Sequence, residues 1–316
     1  MKNMFRKRVL QLEEINARVR TDAQAFVREE NDRYFDDVAA LTRALTVGLH
    51  SRCLVMLAGP SSSGKTTTAR LLRDGLRELG VDAHVVSLDD FYRGRELAPV
   101  LEDGSFDYEA LEALNLPQLR SCMLELVRDG VTALPQFDFV TGAPAPHTQE
   151  LRIAHDSVVI FEGIHALNPI FEQELPQENL VKIFINTMSP VYEGDTKLLA
   201  RRDIRLVRRM LRDERFRNSS PENTLHMWQQ VVRGENTYMF PYVDTVDYVM
   251  DTTHAYEPCV FAPEILPLLR AIAADNPYIE TVRHLIAALE RFEPLSAAEV
   301  PRETLLREFL GGGLYE

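Results

Sequence analysis

The sequence predicts an α/β protein with three layers, in which helices cover both faces of a mainly parallel β-sheet. Short apolar runs recur along the chain and alternate with longer segments of helical spacing, as they do in strand–helix units. The first run, residues 53–58, contains no charged residue, which is typical of a strand buried on both faces. It leads through a glycine-containing loop into a segment of helical spacing, so strand, loop and helix follow each other in the order that this fold requires.

The loop after this strand, residues 59–66, reads Gly-Pro-Ser-Ser-Ser-Gly-Lys-Thr and matches the phosphate-binding pattern G-x-x-x-x-G-K-[ST]. Its two glycines let the backbone turn tightly, so that successive N–H groups form a nest for phosphate oxygens at a helix N-terminus. Lys65 is expected to reach the β- and γ-phosphates, and the Thr66 hydroxyl to hold Mg²⁺. A glycine- and serine-rich linker would explain neither the lysine nor the strand before it.

Composition argues against several classes of function. The chain has 316 residues, 45% of them hydrophobic, and a net charge of −13, which argues against general nucleic-acid binding. Its three cysteines, Cys53, Cys122 and Cys259, form neither a disulfide framework nor a zinc spacing, so a reducing cytoplasm is expected. No run approaches the roughly 20 apolar residues of a membrane span, and no signal-peptide stretch follows the basic start.

Acidic residues follow two further apolar runs. Asp89 and Asp90 directly follow the apolar run of residues 83–88, and Glu162 directly follows that of residues 157–161. Ligands of open α/β sheets bind beyond the strand carboxyl ends, where a carboxylate can orient a hydroxyl and accept its proton during phosphoryl transfer. We favour Asp89 as this base, although one of the two aspartates could instead cap a turn. Glu162 stands where a Mg²⁺- or water-holding carboxylate is expected.

Two other segments predict elements around the reacting groups. Residues 134–140 and 149–153 flank a Gly/Pro-rich turn, which predicts an inserted β-hairpin over the acceptor site. Residues 201–217 hold eight arginines, and one helical arc of about 60° carries four of them: Arg201, Arg205, Arg208 and Arg212. Because guanidinium groups bind phosphate and stabilise a transferring phosphoryl group, this predicts an arginine-rich lid helix. A solvated, salt-bridged face is the alternative.

Four segments together resemble the uridine kinase and phosphoribulokinase family: residues 59–66, 88–92, 161–165 and 203–213. The resemblance implies a P-loop NTPase fold and transfer of the γ-phosphoryl group of ATP to a primary hydroxyl, in uridine kinases the nucleoside 5′-hydroxyl. The C-terminal part, including residues 306–312, is similar to a bacterial uridine kinase-like branch. Members of that branch often carry an N-terminal module similar to part of threonyl-tRNA synthetase. We expect that module to be absent, since only about 50 residues precede the first strand.

The resemblance also implies site residues and cofactors, ATP and Mg²⁺. The implied catalytic residues are Lys65, Asp89, Arg205 and Arg212. The implied ATP-binding residues are Gly59, Pro60, Ser61, Ser62, Ser63, Gly64, Lys65, Thr66, Thr67 and Arg208. The implied acceptor-binding residues are Asp89, Tyr92, Phe106, Asp107, Phe137 and Arg205, and the implied Mg²⁺ ligands are Thr66 and Glu162.

The chain departs from the family pattern at the acceptor end. Uridine–cytidine kinases recognise the base through a Tyr and a His of the hairpin. At the corresponding positions this chain has Phe137 and Gly142, and His147 is a candidate replacement. Without those hydrogen-bonding groups, a pocket for the nucleobase discriminates less well between different bases. We expect uridine or cytidine as acceptor. Another nucleoside, a sugar, a polyol or a vitamin-like alcohol stays an alternative, as does a catalytically silent nucleotide-binding regulator. Asn218 replaces a family Gly after the arginines and should tolerate the left-handed turn.

Three segments make up the predicted domain organisation. Residues 1–50 form an N-terminal helical extension of two helices, residues 51–260 the P-loop kinase domain, and residues 261–316 a C-terminal helical region packed on it. We favour packing of the N-terminal helices on the kinase, or a contact in a homo-oligomer, over a site for another partner. The expected partner is a small-molecule acceptor, with no nucleic acid and no membrane. Residues 301–310 predict a closing helix.

Overall fold

The computed structural model describes residues 2–3, 8–47, 49, 51–101, 104–138, 141–173 and 175–315. Phe139 and Val140, which belong to the predicted hairpin, and most of the basic N-terminal stretch lie outside the described residues. Among the helices that the structure describes, none combines the length and apolar character needed to cross a bilayer.

In the described part of the chain, strands and helices alternate between residues 12 and 129, several strands then follow in succession, and helices predominate from residue 201 onwards. Its strands are β1 (Lys2–Asn3), β2 (Leu10–Gln11), β3 (Cys53–Ala58), β4 (Asp82–Ser87), β5 (Val131–Leu134), β6 (Phe137–Asp138), β7 (Ala143–Pro144), β8 (Gln149–Arg152), β9 (Ser157–Glu162), β10 (Leu180–Asn186), β11 (Val191–Glu193), β12 (Thr196–Leu199) and β13 (Tyr248–Asp251). Its α-helices are α1 (Leu12–Thr46), α2 (Lys65–Glu78), α3 (Leu116–Asp129), α4 (Arg201–Phe216), α5 (Pro221–Tyr238), α6 (Glu257–Arg270), α7 (Ile279–Leu289) and α8 (Arg307–Leu310).

The main sheet has six strands in the order β1-β13-β10-β3-β9-β4, and every neighbouring pair is parallel. Alternate residues of β3 enter two different hydrophobic clusters, Val55 and Leu57 on the side of α1 and α2, and Leu54 and Met56 on the side of α3. Both faces of the sheet are therefore covered, which explains why β3 is a continuous apolar run. The predicted three-layer α/β fold with a mainly parallel sheet, a P-loop NTPase fold, is confirmed.

An antiparallel ribbon interrupts the alternation between α3 and β9. β5 pairs with β8, and β6 pairs with β7 further along the same ribbon. This confirms the predicted hairpin insertion. The small sheet β12-β11-β2 and the edge strand β1 were not predicted, because strands of two to four residues show too little of a two-residue period to be recognised.

The N-terminal helices pack on the phosphate-loop helix α2. They form one helical stretch that is interrupted at Asp22, where φ is −159° and ψ is 89°. The Asp22 carboxylate accepts a hydrogen bond from the Ala25 N–H at 2.9 Å and so caps the second half. Further along, Tyr34 is fully buried, and its hydroxyl lies 2.8 Å from Thr68 Oγ1 in α2. The extension thus contributes to the surroundings of the phosphate loop.

The C-terminal region joins the same core. Leu41 of α1, Leu57 of β3 and Leu305 near the C-terminus belong to one hydrophobic cluster. The expected closing helix is limited to the single turn α8, because the residues before it form turns that bury Leu305 and Leu306. The division of the chain into three domains stays a prediction, since this cluster contains residues from all three segments.

Candidate active site

The phosphate loop connects β3 to the first turn of α2 and has the backbone of an anion nest. Ser62, with φ +58°, and Gly64, with φ +88°, are both left-handed and flank Ser63. Such alternation turns successive N–H groups towards one side, where they can hold an anion. At Gly59 a Cβ atom would lie 2.5 Å from the Ile185 carbonyl oxygen, so only glycine fits without displacing the strand.

Hydrogen bonds from residues elsewhere in the chain fix the orientation of this loop. Three consecutive serine carbonyls of the loop accept hydrogen bonds from Arg205 Nη1, Arg208 Nη1 and Thr252 Oγ1, at 3.0, 3.3 and 2.7 Å. Two loop N–H groups also have partners, since those of Ser61 and Ser63 donate to Glu235 Oε1 and to the Pro60 carbonyl. Because the three carbonyls point away from the nest, the remaining N–H groups are left to form it. The loop is therefore held in the conformation that binds phosphate.

The interior of the loop fits the phosphates of a nucleotide. The Ser62 and Ser63 hydroxyls are buried and have no hydrogen-bond partner among the described residues. Buried hydroxyls normally have partners, and phosphate oxygens in the loop would supply them. Lys65 lies at the mouth of the loop, with Nζ 3.4 Å from the Pro60 carbonyl. These features agree with the ATP-binding role predicted for residues 59–66.

Thr66 and Glu162 lie together beside the loop, as a shared Mg²⁺ site requires. Glu162 Oε1 accepts hydrogen bonds from Thr66 Oγ1 and Ser87 Oγ, both at 3.2 Å. Burial raises the pKa of Glu162 to about 7, an effect that the Lys65 charge opposes and the Asp89 charge reinforces. Proteins usually hold Mg²⁺ through one or two carboxylates together with substrate phosphates and water. The pair therefore fits this ion, although its binding stays a prediction.

A cavity of about 570 Å³ opens beside Asp89, in the 3₁₀ turn that follows β4. Asp89 is exposed to this cavity, but surrounding protein raises its pKa, while the charges of Lys65, Arg217 and Arg212 lower it. Asp90 does not line the cavity, and its Oδ1 accepts a hydrogen bond from the Phe137 N–H at 3.3 Å. The two aspartates thus differ, since Asp89 lines the cavity and Asp90 is bonded to the hairpin, and the role of Asp89 towards an acceptor stays a prediction.

Aromatic side chains form one wall of this cavity. The rings of Tyr92 and Phe137 both line it, with centroids 5.7 Å apart. The predicted acceptor residues Phe106 and Asp107 are not among the described residues that line it. Asp107 Oδ2 instead accepts a hydrogen bond from the Tyr238 hydroxyl at 3.3 Å. The structure therefore brings together Asp89, Tyr92 and Phe137 of the predicted acceptor residues, while Phe106, Asp107 and Arg205 do not line this cavity.

Several charged residues of the cavity were missing from the predicted site, among them Glu109 and Arg209. Burial raises the pKa of Glu109 to about 7, and the charge of Arg209 opposes this rise. Arg209 Nη1 donates to Ser61 Oγ at 2.7 Å, so this arginine connects the cavity with the phosphate loop. Arg209 lay within the arginine-rich segment but outside the selected arc. Glu109 had no signal in the sequence beyond its closeness to Asp107.

The lid helix α4 buries two of its predicted ligand-binding arginines. Arg205 forms two hydrogen bonds with Glu235, at 2.6 and 2.8 Å, and Arg208 forms two with Glu257, at 2.6 and 3.0 Å. Both guanidinium groups are almost inaccessible to solvent. Glu235 Oε1 also accepts the Ser61 N–H at 2.8 Å. These arginines support the loop from behind, and their predicted direct contacts with substrate or ATP stay predictions.

The C-terminal end of α4 carries two arginines that line cavities. Arg212 lines a second cavity together with Thr66, and Arg217 lines both cavities. Burial and the like charge of Arg212 lower the pKa of Arg217, so an anion would be favourable between them. Asn218 follows with φ +49°, the left-handed conformation expected at that position. The predicted lid thus brings positive charge between the phosphate loop and Asp89.

The sequence and structure were compared with known proteins. The sequence model of the Phosphoribulokinase / Uridine kinase family matches residues 54–256. A uridine kinase of Deinococcus deserti is 29% identical over 185 residues, which is 58% of this chain and 80% of that protein. A uridine kinase of Mycoplasma genitalium is 28% identical over 180 residues, 57% of this chain and 75% of that protein.

A solved Silicibacter structure, described as that of a fructose transport system kinase, shares the fold. It covers 67% of this chain and 98% of its own, with 20% sequence identity and a TM-score of 0.50. The family match is the more specific finding, since it spans most of the chain and contains the phosphate loop, Asp89, Glu162 and α4. The protein therefore belongs to the Phosphoribulokinase / Uridine kinase family and is a P-loop kinase.

Proposed function

We propose that this kinase transfers the γ-phosphoryl group of ATP to the 5′-hydroxyl of a pyrimidine nucleoside, uridine or cytidine. The observation that carries the proposal is the position of Asp89. Its carboxylate lines an aromatic-walled cavity and lies within the electrostatic influence of Lys65 from the phosphate loop. A hydroxyl held at Asp89 would therefore face the phosphates bound by the loop.

On the donor side, the loop N–H groups and Lys65 bind the phosphates of ATP. Thr66 and Glu162 hold Mg²⁺, which when bound neutralises charge on the β- and γ-phosphates. Arg212 and Arg217 line the cavity beside Thr66, and Arg217 also lines the cavity at Asp89, so their charges stabilise the negative charge of the group in transfer. The buried arginines behind the loop contribute by fixing its conformation.

On the acceptor side, Asp89 orients the reacting hydroxyl and accepts its proton. This role needs the ionised carboxylate, and three cations, Lys65, Arg212 and Arg217, favour that form against the effect of the surrounding protein. Arg209 and Glu109 add polar groups to the same cavity, where hydroxyls of a sugar would find partners.

The wall of Tyr92 and Phe137 supports a planar acceptor, because aromatic rings pack well against a nucleobase. Phe137 has no hydrogen-bonding group, and this observation favours a second candidate, a kinase for a different acceptor. That acceptor would be another nucleoside, a sugar, a polyol or a vitamin-like alcohol. Both candidates share the donor site and the role of Asp89.

The test is a screen for acceptor-dependent ADP release in the presence of Mg²⁺. Uridine, cytidine, other nucleosides, free sugars and polyols are compared, and ribose without a base serves as the matched control for uridine. We expect uridine or cytidine to give the fastest release, with a nucleoside 5′-monophosphate as the product. Equal rates with ribose and uridine would exclude base recognition. ATP binding without release across the whole panel would contradict an active kinase.

A further inference from the structure

The C-terminal segment, residues 301–315, lies against the phosphate loop although it falls outside the family match at 54–256. The Leu305 side chain is fully buried and fills the space beside Gly64, where an added Cβ atom would lie 2.3 Å from Leu305 Cδ1. Thr67 Oγ1 donates a hydrogen bond to Glu308 Oε2 at 2.7 Å. The segment is therefore a direct neighbour of the nucleotide-binding loop.

The course of this segment is fixed from several sides. The Arg208 guanidinium lies over the Phe309 ring at 5.1 Å, and Arg215 Nη1 donates to the Leu310 carbonyl at 2.7 Å. Arg307 donates to carbonyls within and just before the segment. Because both backbone and side chains are anchored, the residues that the segment presents to the loop have defined positions.

A cavity of about 230 Å³ separates the segment from the start of α2 and the end of α4. Seven of its twelve lining residues come from the segment, and Thr66 and Thr67 line it on the side of the phosphate loop. A nucleotide with its phosphates in the loop must direct its ribose and base into adjoining space. This cavity adjoins the loop at Thr66, so it is placed to receive the nucleoside part of the donor.

The lining has the chemistry that a nucleoside requires. The Glu308 carboxylate accepts one hydrogen bond from Thr67 and has further acceptor capacity for ribose hydroxyls. Leu314 is 60% exposed and offers an apolar surface to a base. Arg302, which is also exposed, can place its planar guanidinium against a ring. Glu308, a partner for the sugar, thus lies nearest the phosphate loop, and Leu314 and Arg302, partners for the base, also line this cavity.

We propose that Glu308, Leu314 and Arg302 form the ribose and base subsite for the donor nucleotide. The proposal rests on the proposed function, since it requires a nucleoside triphosphate in the phosphate loop. It assigns a ligand-binding role to a part of the chain that the family match does not include. Several arginines also line the cavity, so a second phosphate-like anion is the competing occupant.

Calorimetric titration with ATP and with inorganic tripolyphosphate, in the absence of any acceptor, separates these possibilities. Glu308→Gln keeps an acceptor for Thr67 but removes the charged partner of the ribose. We expect it to raise the Kd for ATP about tenfold, the effect of losing a charge-assisted hydrogen bond. Tripolyphosphate should bind equally well or more tightly, because a negative charge near the polyanion is gone. Leu314→Ser should raise the Kd for ATP about fivefold without affecting tripolyphosphate.

Leu79→Ser is the matched control, since Leu79 is a similarly exposed leucine, 54%, at the far end of α2. It should bind both ligands as the wild type does. Equal weakening of ATP and tripolyphosphate in Glu308→Gln would overturn the proposal, because the segment would then only shape the loop. An unchanged Kd for ATP in both cavity variants, or tripolyphosphate binding to more than one site, would overturn the subsite while leaving the proposed function intact. A wild type that binds neither ligand would contradict both.

Discussion

Asp89 and Asp90 are adjacent in the sequence but have different surroundings in the structure. Asp89 and Asp90 are identical side chains in one 3₁₀ turn, yet Asp89 lines the acceptor cavity and Asp90 accepts the Phe137 N–H. The sequence could place both at the end of a strand but could not show their directions. The proposal that Asp89 is the base follows from its access to the cavity, whereas Asp90 is bonded to the hairpin.

Glu109 gives a prediction for the dependence of stability on pH. Burial raises its pKa to about 7 in the folded protein, with Lys65 and Arg209 opposing and Asp89 and Glu235 reinforcing the rise. An unfolded glutamate releases its proton near pH 4.3, so the folded state binds more protons between about pH 4.3 and 7. The contribution of Glu109 to stability is therefore fully present below this range and is lost as pH rises through it.

The Glu109→Gln variant isolates this effect because the other titrating groups are common to both proteins. We expect the free energy of unfolding of the variant, relative to wild type, to increase by about 1–2 kcal/mol between pH 5 and pH 8, allowing for partial solvent screening. Denaturant titrations at both pH values measure the difference. A relative stability that is the same at pH 5 and pH 8 would show that Glu109 does not titrate in this range.

The lid helix α4 shows what a helical pattern can and cannot predict. Its helical spacing and arginine content were evident in the sequence, but the glutamates that pair with Arg205 and Arg208 come from α5 and α6. A helical arc contains no information about partners that are distant along the chain. The pattern therefore indicated a ligand-binding face, whereas the structure shows buried ion pairs behind the phosphate loop.

Removing one partner of such a pair should be costly. Arg205→Met leaves Glu235 buried without its partner, and we expect the free energy of unfolding to fall by about 3–5 kcal/mol. The double variant Arg205→Met/Glu235→Leu removes both charges and should be less destabilised than Arg205→Met alone. Denaturant titration of the two variants measures this. If Arg205→Met kept wild-type stability but lost turnover, a direct catalytic role would replace the supporting one.

Some strands could be predicted from the sequence, whereas the contacts of the C-terminal segment could not. β3 was predicted with its observed bounds because its six apolar residues lie before a recognisable loop, and the hairpin followed from two runs around a turn. The segment 301–315 was different. Its contacts with Gly64 and Thr67 join residues more than 200 positions apart, and no local periodicity can reveal such contacts. The same limit explains why Glu109 was missed.

At the scale of the whole molecule, one core connects the three predicted segments. Residues from α1, from the central sheet and from the C-terminal segment share a hydrophobic cluster. Tyr34 of α1 and Leu305 of the C-terminal segment both approach the phosphate loop and its helix. The segments are therefore expected to fold cooperatively, with the loop's conformation depending on both ends of the chain.

Leu41→Ala tests this cooperativity. Leu41 is fully buried in α1, so its truncation should lower the free energy of unfolding by about 2–5 kcal/mol and shift the unfolding of the whole chain together. Calorimetry should show a single transition for both proteins. Leu79→Ala, at an exposed position, should leave the transition within about 2 °C of wild type. A separate early transition in Leu41→Ala would indicate that the N-terminal helix unfolds independently.

The central claim is that this kinase transfers a phosphoryl group to a hydroxyl held at Asp89. The most direct test is the kcat for acceptor-dependent ADP release in Asp89→Asn, with Asp90→Asn as the matched control one residue away. The account predicts that Asp89→Asn lowers kcat by about 10²–10⁴-fold while ATP still binds, and that Asp90→Asn retains kcat within about tenfold. Near-normal turnover in Asp89→Asn, or an equal loss in both variants, would contradict it.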